Sequence, residues 1–316
     1  MRILGIVGSR RKLGNTEIMV KEALKGAREE GADIALLRMS DLYVKECNGC
    51  EACVIKGERC ALNDDMDFFE EQLDASDGLI VGGVDYAGAP LGIFKTVGDR
   101  LHGLSSWIER TEQQRSSRKK AITIGAAGWR HIQYWIIPSL NNFTTLCGFD
   151  VLASFVGISI GPGEVLLTER QAIPRELNRL GHDLVFALRG EESRLSGSVH
   201  RLRIFDPKAK GDKLFTQQDC CPYCFSTAFE LVSPMELRCA FCHYTTVYIQ
   251  PKGDRIELRF ETMTEEQRIE QAKYHLEEEV RPSGPWFLSR RGEIEPKRQL
   301  YRDIGVPWEK PPIGKG

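Results

Sequence analysis

The stretch Arg2-Ile-Leu-Gly-Ile-Val7, followed by Gly8-Ser9-Arg10-Arg11-Lys12-Leu13-Gly14-Asn15-Thr16, decides how the chain is read. The short apolar run predicts a buried strand. The polar loop leads into a predicted helix from Thr16 to about Glu30, on which Val20, Leu24 and Ala27 recur at i, i+4 and i+7 as one apolar stripe. Gly31 is a natural stop for it. A loop between a strand and a helix N-terminus offers unpaired backbone N–H groups and the positive end of the helix dipole. Ser9, Asn15 and Thr16 add hydrogen-bond donors, and Arg10, Arg11 and Lys12 add charge. There is no Gly-Lys-Ser/Thr and no G-x-G-x-x-G, so a terminal monophosphate fits better than a dinucleotide pyrophosphate. A polar turn that only caps the helix is the alternative.

The same unit repeats outward from this stretch. Strands are predicted at Asp33–Met39, Gly78–Val84, Ala121–Gly125 and Val151–Ile160. Helices are predicted after Asp64 (Met66, Phe69 and Leu73 on one face), over Gly92 to about Glu109, over His131–Cys147 and over Pro174–Leu188. Alternating units imply an α/β fold, a doubly wound parallel five-stranded sheet in residues 1–190. The flavodoxin-like strand order 2-1-3-4-5 fits, and the Rossmann order is the alternative. Residues 191–214 are polar and basic and read as a linker, with one strand around Leu202–Phe205. Residues 215–260 alternate as a small β-rich module. In 261–316, Thr264-Glu-Glu-Gln267 is a capping box that opens a helix to about Val280. Six prolines between Arg281 and Gly316 predict an extended tail packed on something.

With 316 residues and 41% hydrophobic content, the chain is long enough for about two domains and too apolar for disorder. A net charge of −2 supplies no field for nucleic acid or an anionic membrane surface. No signal peptide and no apolar run of membrane-spanning length is visible, so a cytoplasmic protein is expected. Nine of the ten cysteines fall in two tight groups, which in a reducing compartment points to metal rather than disulfides.

Cys47, Cys50, Cys53 and Cys60 place four thiols within fourteen residues, a spacing that lets one loop wrap a [4Fe–4S] cluster. A zinc site in the same loop, or unligated cysteines, are the alternatives. Cys221-Pro-Tyr-Cys224 and Cys239-Ala-Phe-Cys242, fourteen residues apart, form a four-cysteine zinc pattern that resembles a zinc ribbon, with rubredoxin-type iron as the chemical rival. Ribbons usually carry Gly after each knuckle, whereas here Phe225 and His243 follow. Cys220 is an extra thiol, though the C-P-x-C spacing favours Cys221 as the ligand. His243 reads as a surface residue and Cys147 as a buried small hydrophobe.

The loop from Gly8 to Thr16 resembles the phosphate loop of the NADPH-dependent FMN reductase family, and Val84 to Arg100 resembles that family's second FMN loop. The resemblance covers about residues 1–190. It implies FMN held by Ser9, Arg11, Gly14, Asn15 and Thr16 at the phosphate, and by Asp85, Tyr86, Ala87, Gly88 and Ala89 along the isoalloxazine. Gly125 to His131 occupies the third loop, so Gly125, Gly128 and Trp129 join the expected contacts. Trp129 either covers the flavin or an access cleft, or is an ordinary surface aromatic. The first cysteine group, with Asp64-Asp65-Met66 after it, resembles the iron–sulfur flavoprotein subgroup. That resemblance implies a homo-oligomer, a dimer or tetramer, passing electrons between cluster and FMN.

The expected function is an FMN- and [4Fe–4S]-dependent oxidoreductase, with ferredoxin, NAD(P)H or another redox protein as electron partner. A cluster-free NAD(P)H-dependent FMN reductase and a docking or electron-delivery subunit are the rivals. The run Arg115–Lys120 reads as a solvated loop. His102 and His131 could assist proton transfer at a flavin, and no catalytic role is assigned to either.

Overall fold

The computed structural model describes residues 1–55, 59–101, 119–128, 135–191, 202–205, 214–217 and 220–299. Strand β1 (Arg2–Gly8) is buried from Ile3 onward, as a strand covered on both faces must be. It is followed by α1 (Asn15–Glu29), β2 (Asp33–Arg38), a short turn of helix α2 (Ala52–Ile55), α3 (Met66–Asp74) and β3 (Gly78–Tyr86). Next come β4 (Ala89–Pro90), α4 (Ile93–Leu101), β5 (Lys120–Ala127), α5 (Ile136–Leu146), β6 (Asp150–Ile158) and α6 (Ala172–Arg189). β1 pairs in parallel with β2 on one side and β3 on the other, and β5 and β6 continue the sheet in parallel. The five expected strands therefore stand in the flavodoxin-like order, and the Rossmann order is set aside. The two-residue β4 folds back on the end of β3 as a hairpin.

Two further strands extend the sheet beyond the five expected. β7 (Leu202–Phe205) adds in parallel to β6, and β8 (Leu214–Gln217) adds antiparallel to β7. The segment read as a linker thus supplies strand β7. The physical reason is the open edge that β6 would otherwise present to water.

The pleat sorts the core onto two faces. Leu4, Ile6, Leu79 and Val81 pack with Phe69 of α3, Phe94 of α4 and Phe143 of α5. Ile3, Val7, Ile80 and Ile124 pack with the Val20, Leu24 and Ala27 stripe of α1 and with Leu177 and Leu184 of α6. Helices α1 and α6 meet backbone to backbone. A Cβ on Gly26 would stand 1.9 Å from the Asn178 carbonyl oxygen, and one on Gly181 would stand 1.9 Å from that of Ala23.

The C-terminal region is an antiparallel meander of β9 (Phe229–Ser233), β10 (Glu236–Cys239), β11 (Thr245–Lys252) and β12 (Arg255–Thr262). The capping box forms as expected at the start of α7 (Glu265–Tyr274). The Gln267 N–H donates to Thr264 Oγ1 at 3.2 Å and the Thr264 N–H to Gln267 Oε1 at 2.8 Å. The helix then widens over His275–Val280 and continues as α8 (Arg281–Gln299). This corrects the expected extended tail for these residues. Pro285 and Pro296 lie inside the helix, where each removes one hydrogen bond without forbidding the elements around it. Trp308 and the end of the tail lie outside the described residues, as do Trp129, Arg130, His131 and His102.

The meander region is joined to the sheet domain through its first knuckle. Cys220 and Phe225 belong to the same core as Leu4 and Phe143. The buried Asn141 of α5 accepts from Thr123 Oγ1 at 2.6 Å and from Ser154 Oγ at 3.2 Å, and donates to the Cys224 carbonyl at 3.0 Å. Among the described residues, no helix is long and apolar enough to cross a membrane.

The α1–α6 contact leaves no room for a methyl group. Gly181→Ala should lower stability by about 1–3 kcal/mol, since backbone cannot step aside as a side chain can. Thermal denaturation should show a drop of several degrees. Gly292→Ala, where a Cβ meets nothing within 4 Å, is the control and should show no drop.

Candidate functional site

In a parallel sheet every strand delivers its following loop to one rim, and ligands bind there. The loop after β1 and the ends of β3, β5 and β6 enclose a cavity of about 210 Å³. Its walls include Ser9, Arg11, Gly14 and Thr16 on one side, Asp85 and Tyr86 on another, and Gly128 with Pro162 and Gly163 closing it. A second cavity of about 570 Å³ shares Gly128, Ile160 and Pro162 with the first and reaches Arg170.

The loop after β1 is held from below. Arg38, at the end of β2, pairs with Glu17 and directs its guanidinium to the carbonyls of Ser9 and Arg10, each at 3.4 Å. Glu17 also accepts from the Leu13 N–H at 2.8 Å and pairs with Lys21. Burial pushes the Glu17 carboxyl up, but the bonds from Lys21 and Leu13 and the charge of Arg38 outweigh it and hold the group below its ordinary range. The residue at the N-cap of α1 is Gly14, which has no side chain with which to cap the helix. The first amides of the helix therefore face the cavity end uncapped, a setting suited to a phosphate.

Not every expected contact takes the expected part. The Asn15 side chain donates to the Gly161 carbonyl at 2.8 Å and accepts from the Gly163 N–H at 2.9 Å. It ties two loops together, so what it offers a ligand is its backbone. Gly125 is packed against Ile137 and Val156 side chains inside the sheet, not at the cavity wall. Ala87 and Gly88 form the two-residue hairpin turn between β3 and β4, with φ of 55° and 89°. Positive φ at both positions is what such a tight hairpin requires, and Ala87 adopts it at a steric cost that Gly88 avoids. Ala89 faces a separate apolar cavity of about 550 Å³ with Phe94, Phe143 and Phe241.

Asp85 supplies the clearest sign that this cavity takes a ligand. The Gly88 N–H donates to its carboxyl, yet among the described residues the buried Oδ1 has no partner. Burial pushes its pKa up. A buried acceptor in a cavity wall is costly unless a ligand hydroxyl or N–H meets it. This acceptor, the uncapped amides, Ser9 and Arg11 together fit a phosphorylated ligand that also carries donor groups. Sequence reasoning missed Arg38, and missed the loop Gly161-Pro162-Gly163 beyond β6, whose only sequence signal is its glycine–proline composition.

The two cysteine groups differ in geometry. Among the described residues, convergence to metal-binding distance belongs to the second. Its four Sγ atoms lie within 4.8 Å of one another, with Cys221–Cys242 at 3.7 Å and Cys224–Cys239 at 3.6 Å. A tetrahedral ion with bonds of about 2.3 Å spaces its sulfurs by about 3.8 Å. The set therefore fits one ion rather than a cube, whose thiolates stand on four separate irons. Phe225 and His243, which occupy the usual glycine positions, take φ of 63° and 60°. Their N–H groups return to the Cys221 and Cys239 carbonyls at 2.9 and 3.1 Å. The knuckle turn is thus formed with side chains in place of glycine. Cys221 Sγ also lies 3.1 Å from the buried Thr245 hydroxyl.

Cys47, Cys50 and Cys60 are exposed and Cys53 is half-buried, all on the loop between β2 and α3. Burial raises the Cys53 pKa first, and the charges of Cys60, Cys50 and Cys47 raise it further. Four cysteine sulfurs on one short segment are the donor set that an iron–sulfur cluster uses. Asp64 stabilises the start of α3 by accepting from the Met66 N–H at 3.2 Å, although the residue at the cap itself is Asp65.

His243→Gly should leave the metal content of the second group unchanged and raise the melting temperature, because a side chain in the left-handed region costs about 1–2 kcal/mol. Cys242→Ser should lose one metal per chain. Elemental analysis of both variants checks the pair of outcomes.

The model of the family described as NADPH-dependent FMN reductase matches residues 1–161. An iron–sulfur flavoprotein of Methanocaldococcus jannaschii is 32% identical over 172 residues, covering 52% of this chain and 86% of its own length. Another, of Methanosarcina thermophila, is 29% identical over 184 residues, covering 57% of this chain and 93% of its own length. Among solved structures, one titled flavone reductase superposes with a TM-score of 0.66 at 18% identity, covering 99% of this chain and 100% of its own, and so shares the fold. The chain is a flavin-dependent oxidoreductase that belongs to the NADPH-dependent FMN reductase family, on the side of its iron–sulfur flavoproteins.

Proposed function

We propose that the protein passes electrons between an external redox partner and an acceptor through FMN at the sheet edge and a [4Fe–4S] cluster on Cys47, Cys50, Cys53 and Cys60. The observation that carries this is positional: the cysteine loop leaves β2, and the flavin cavity is built on β1, β3, β5 and β6 of the same parallel sheet. The curated relatives named iron–sulfur flavoproteins support the pairing.

Bound there, FMN supplies two-electron chemistry and the cluster one-electron chemistry, so the pair couples a hydride donor to one-electron partners. Ser9, Arg11 and the first amides of α1 hold the phosphate end. Asp85 accepts from a donor on the ligand, while Arg38 and Glu17 keep the loop after β1 closed beneath it. The hairpin at Ala87–Gly88, tight enough to need positive φ at both residues, would let its backbone approach a planar ring bound at the rim. The second cysteine group holds a structural zinc, whose loss would expose the Cys220 and Phe225 core that it shares with the sheet. That shared core weighs against a detachable docking module. Ferredoxin or NAD(P)H is the proposed donor, in a cytoplasmic homo-oligomer.

The test is composition and turnover together. Protein purified anaerobically should carry about four iron, one zinc and one FMN per chain. Cys47→Ser should lose the iron, keep FMN and zinc, and lose at least tenfold in electron delivery to a one-electron acceptor. Undiminished NADPH-driven turnover in Cys47→Ser would instead favour a cluster-free FMN reductase.

A further inference from the structure

The cysteine loop is closed by a buried ion pair that the assigned functions leave unexplained. Arg100 lies near the end of α4, with its side chain only 1% exposed and that of Asp64 fully buried. The pair is bidentate, Nη1 to Oδ2 at 2.6 Å and Nη2 to Oδ1 at 3.2 Å. Nη1 also donates to the Lys45 carbonyl at 3.0 Å. Asp64 in turn accepts from the Lys45 N–H at 2.9 Å. Next to it, the Tyr43 N–H donates to Asp65 Oδ2 at 2.7 Å and the Asp65 N–H to the Tyr43 carbonyl at 3.0 Å. The two ends of the cysteine loop are therefore sewn together, and Arg100 sews them to α4.

Two features go beyond loop closure. Burial disfavours the Arg100 charge, but Asp64 and the nearby Cys60 sulfur outweigh it and favour the charged guanidinium. Its Nε–H is buried with no hydrogen-bond partner among the described residues. A buried guanidinium N–H left open is expensive, and it belongs to the side chain that clamps Lys45 and Asp64, the residues flanking the four cysteines. Removing one partner of a buried pair usually costs more than the pair contributes, which makes this an expensive device for tethering alone.

We propose that Arg100 is the positioning residue of the iron–sulfur site: it fixes the stem of the cysteine loop against α4 and keeps its positive charge at the Cys60 end of that loop, making the cluster easier to reduce. This rests on the cluster assignment above. Hydrogen bonds and positive charge at cluster sulfurs stabilise the more negative, reduced state. Because α4 follows the β3–β4 hairpin directly, the same helix carries both the flavin loop and the cluster's cation.

The test is a potentiometric titration of the cluster, followed by its spin signal, in anaerobically purified holoprotein of the wild type, Arg100→Gln, Arg100→Lys and Asp64→Asn. Arg100→Gln should shift the reduction equilibrium at least tenfold toward the oxidised cluster, equivalent to about 59 mV for one electron. Arg100→Lys keeps the charge and should recover most of that shift. Asp64→Asn removes the opposing charge and should shift the equilibrium the other way. A purely structural tether would lower iron content in all three variants and leave the potential of the remaining cluster where it was, and that result overturns the proposal. If Arg100→Gln retains no iron, Arg100→Lys and Asp64→Asn decide: coincident potentials with the wild type overturn the proposal, and a rise in Asp64→Asn alone supports it. Wild-type protein with FMN but no iron bound by the loop would overturn the cluster assignment itself, a different failure from an unshifted potential.

Discussion

The parallel pairing of β1 with β3, from Ile3 opposite Gly78 to Gly8 opposite Gly83, governs where everything else lies. Because both strands run the same way, the loop after β1 and the hairpin after β3 emerge side by side. Their inner residues are buried on both faces, so neither strand can slip without driving polar groups into a core. The neighbouring pairings with β2 and β5 then bring the cysteine loop and the Gly128 end of β5 to the same rim.

A second constraint ties the C-terminal region to this frame. Asn141 is nearly completely buried, and a buried amide must have its bonds met from both sides. It takes two hydroxyls from the sheet and gives its N–H to the Cys224 carbonyl, so the first metal knuckle is registered on α5. Trp135, at the start of α5, adds a ring contact to Phe241 of the second knuckle at 5.6 Å. On the far side, Arg268 of α7 lies 4.6 Å over the Tyr223 ring. The four-cysteine group thus lies at a seam between two core regions.

Much of this was legible in the sequence because it is local. The Val20, Leu24 and Ala27 stripe, the Thr264 capping box and the two cysteine spacings each depend on residues within a few turns of one another. Long-range geometry was not legible. Arg38 is one charged residue ending a strand, and only the fold sets it under the Ser9 and Arg10 carbonyls. Asn15 reads as a ligand contact because it opens a helix, and its side chain proves to be committed to Gly161 and Gly163. Leu202–Phe205 looked like an isolated strand in a linker, since nothing nearby announces the open edge of β6. The prolines after Arg281 suggested extended chain, whereas Arg281–Gln299 continues the helix begun at a strong cap.

The central claim is that cluster and flavin act as one electron path across the sheet edge. It is tested most directly by anaerobic stopped-flow mixing of the oxidised holoprotein with a reduced one-electron donor, watching the flavin and iron–sulfur absorbance separately. The expected result is loss of cluster absorbance first, followed by flavin bleaching at a rate independent of donor concentration, with the second phase absent in Cys47→Ser. Flavin bleaching at the same rate and the same donor dependence in Cys47→Ser would contradict it, because electrons would then reach the flavin without the cysteine loop.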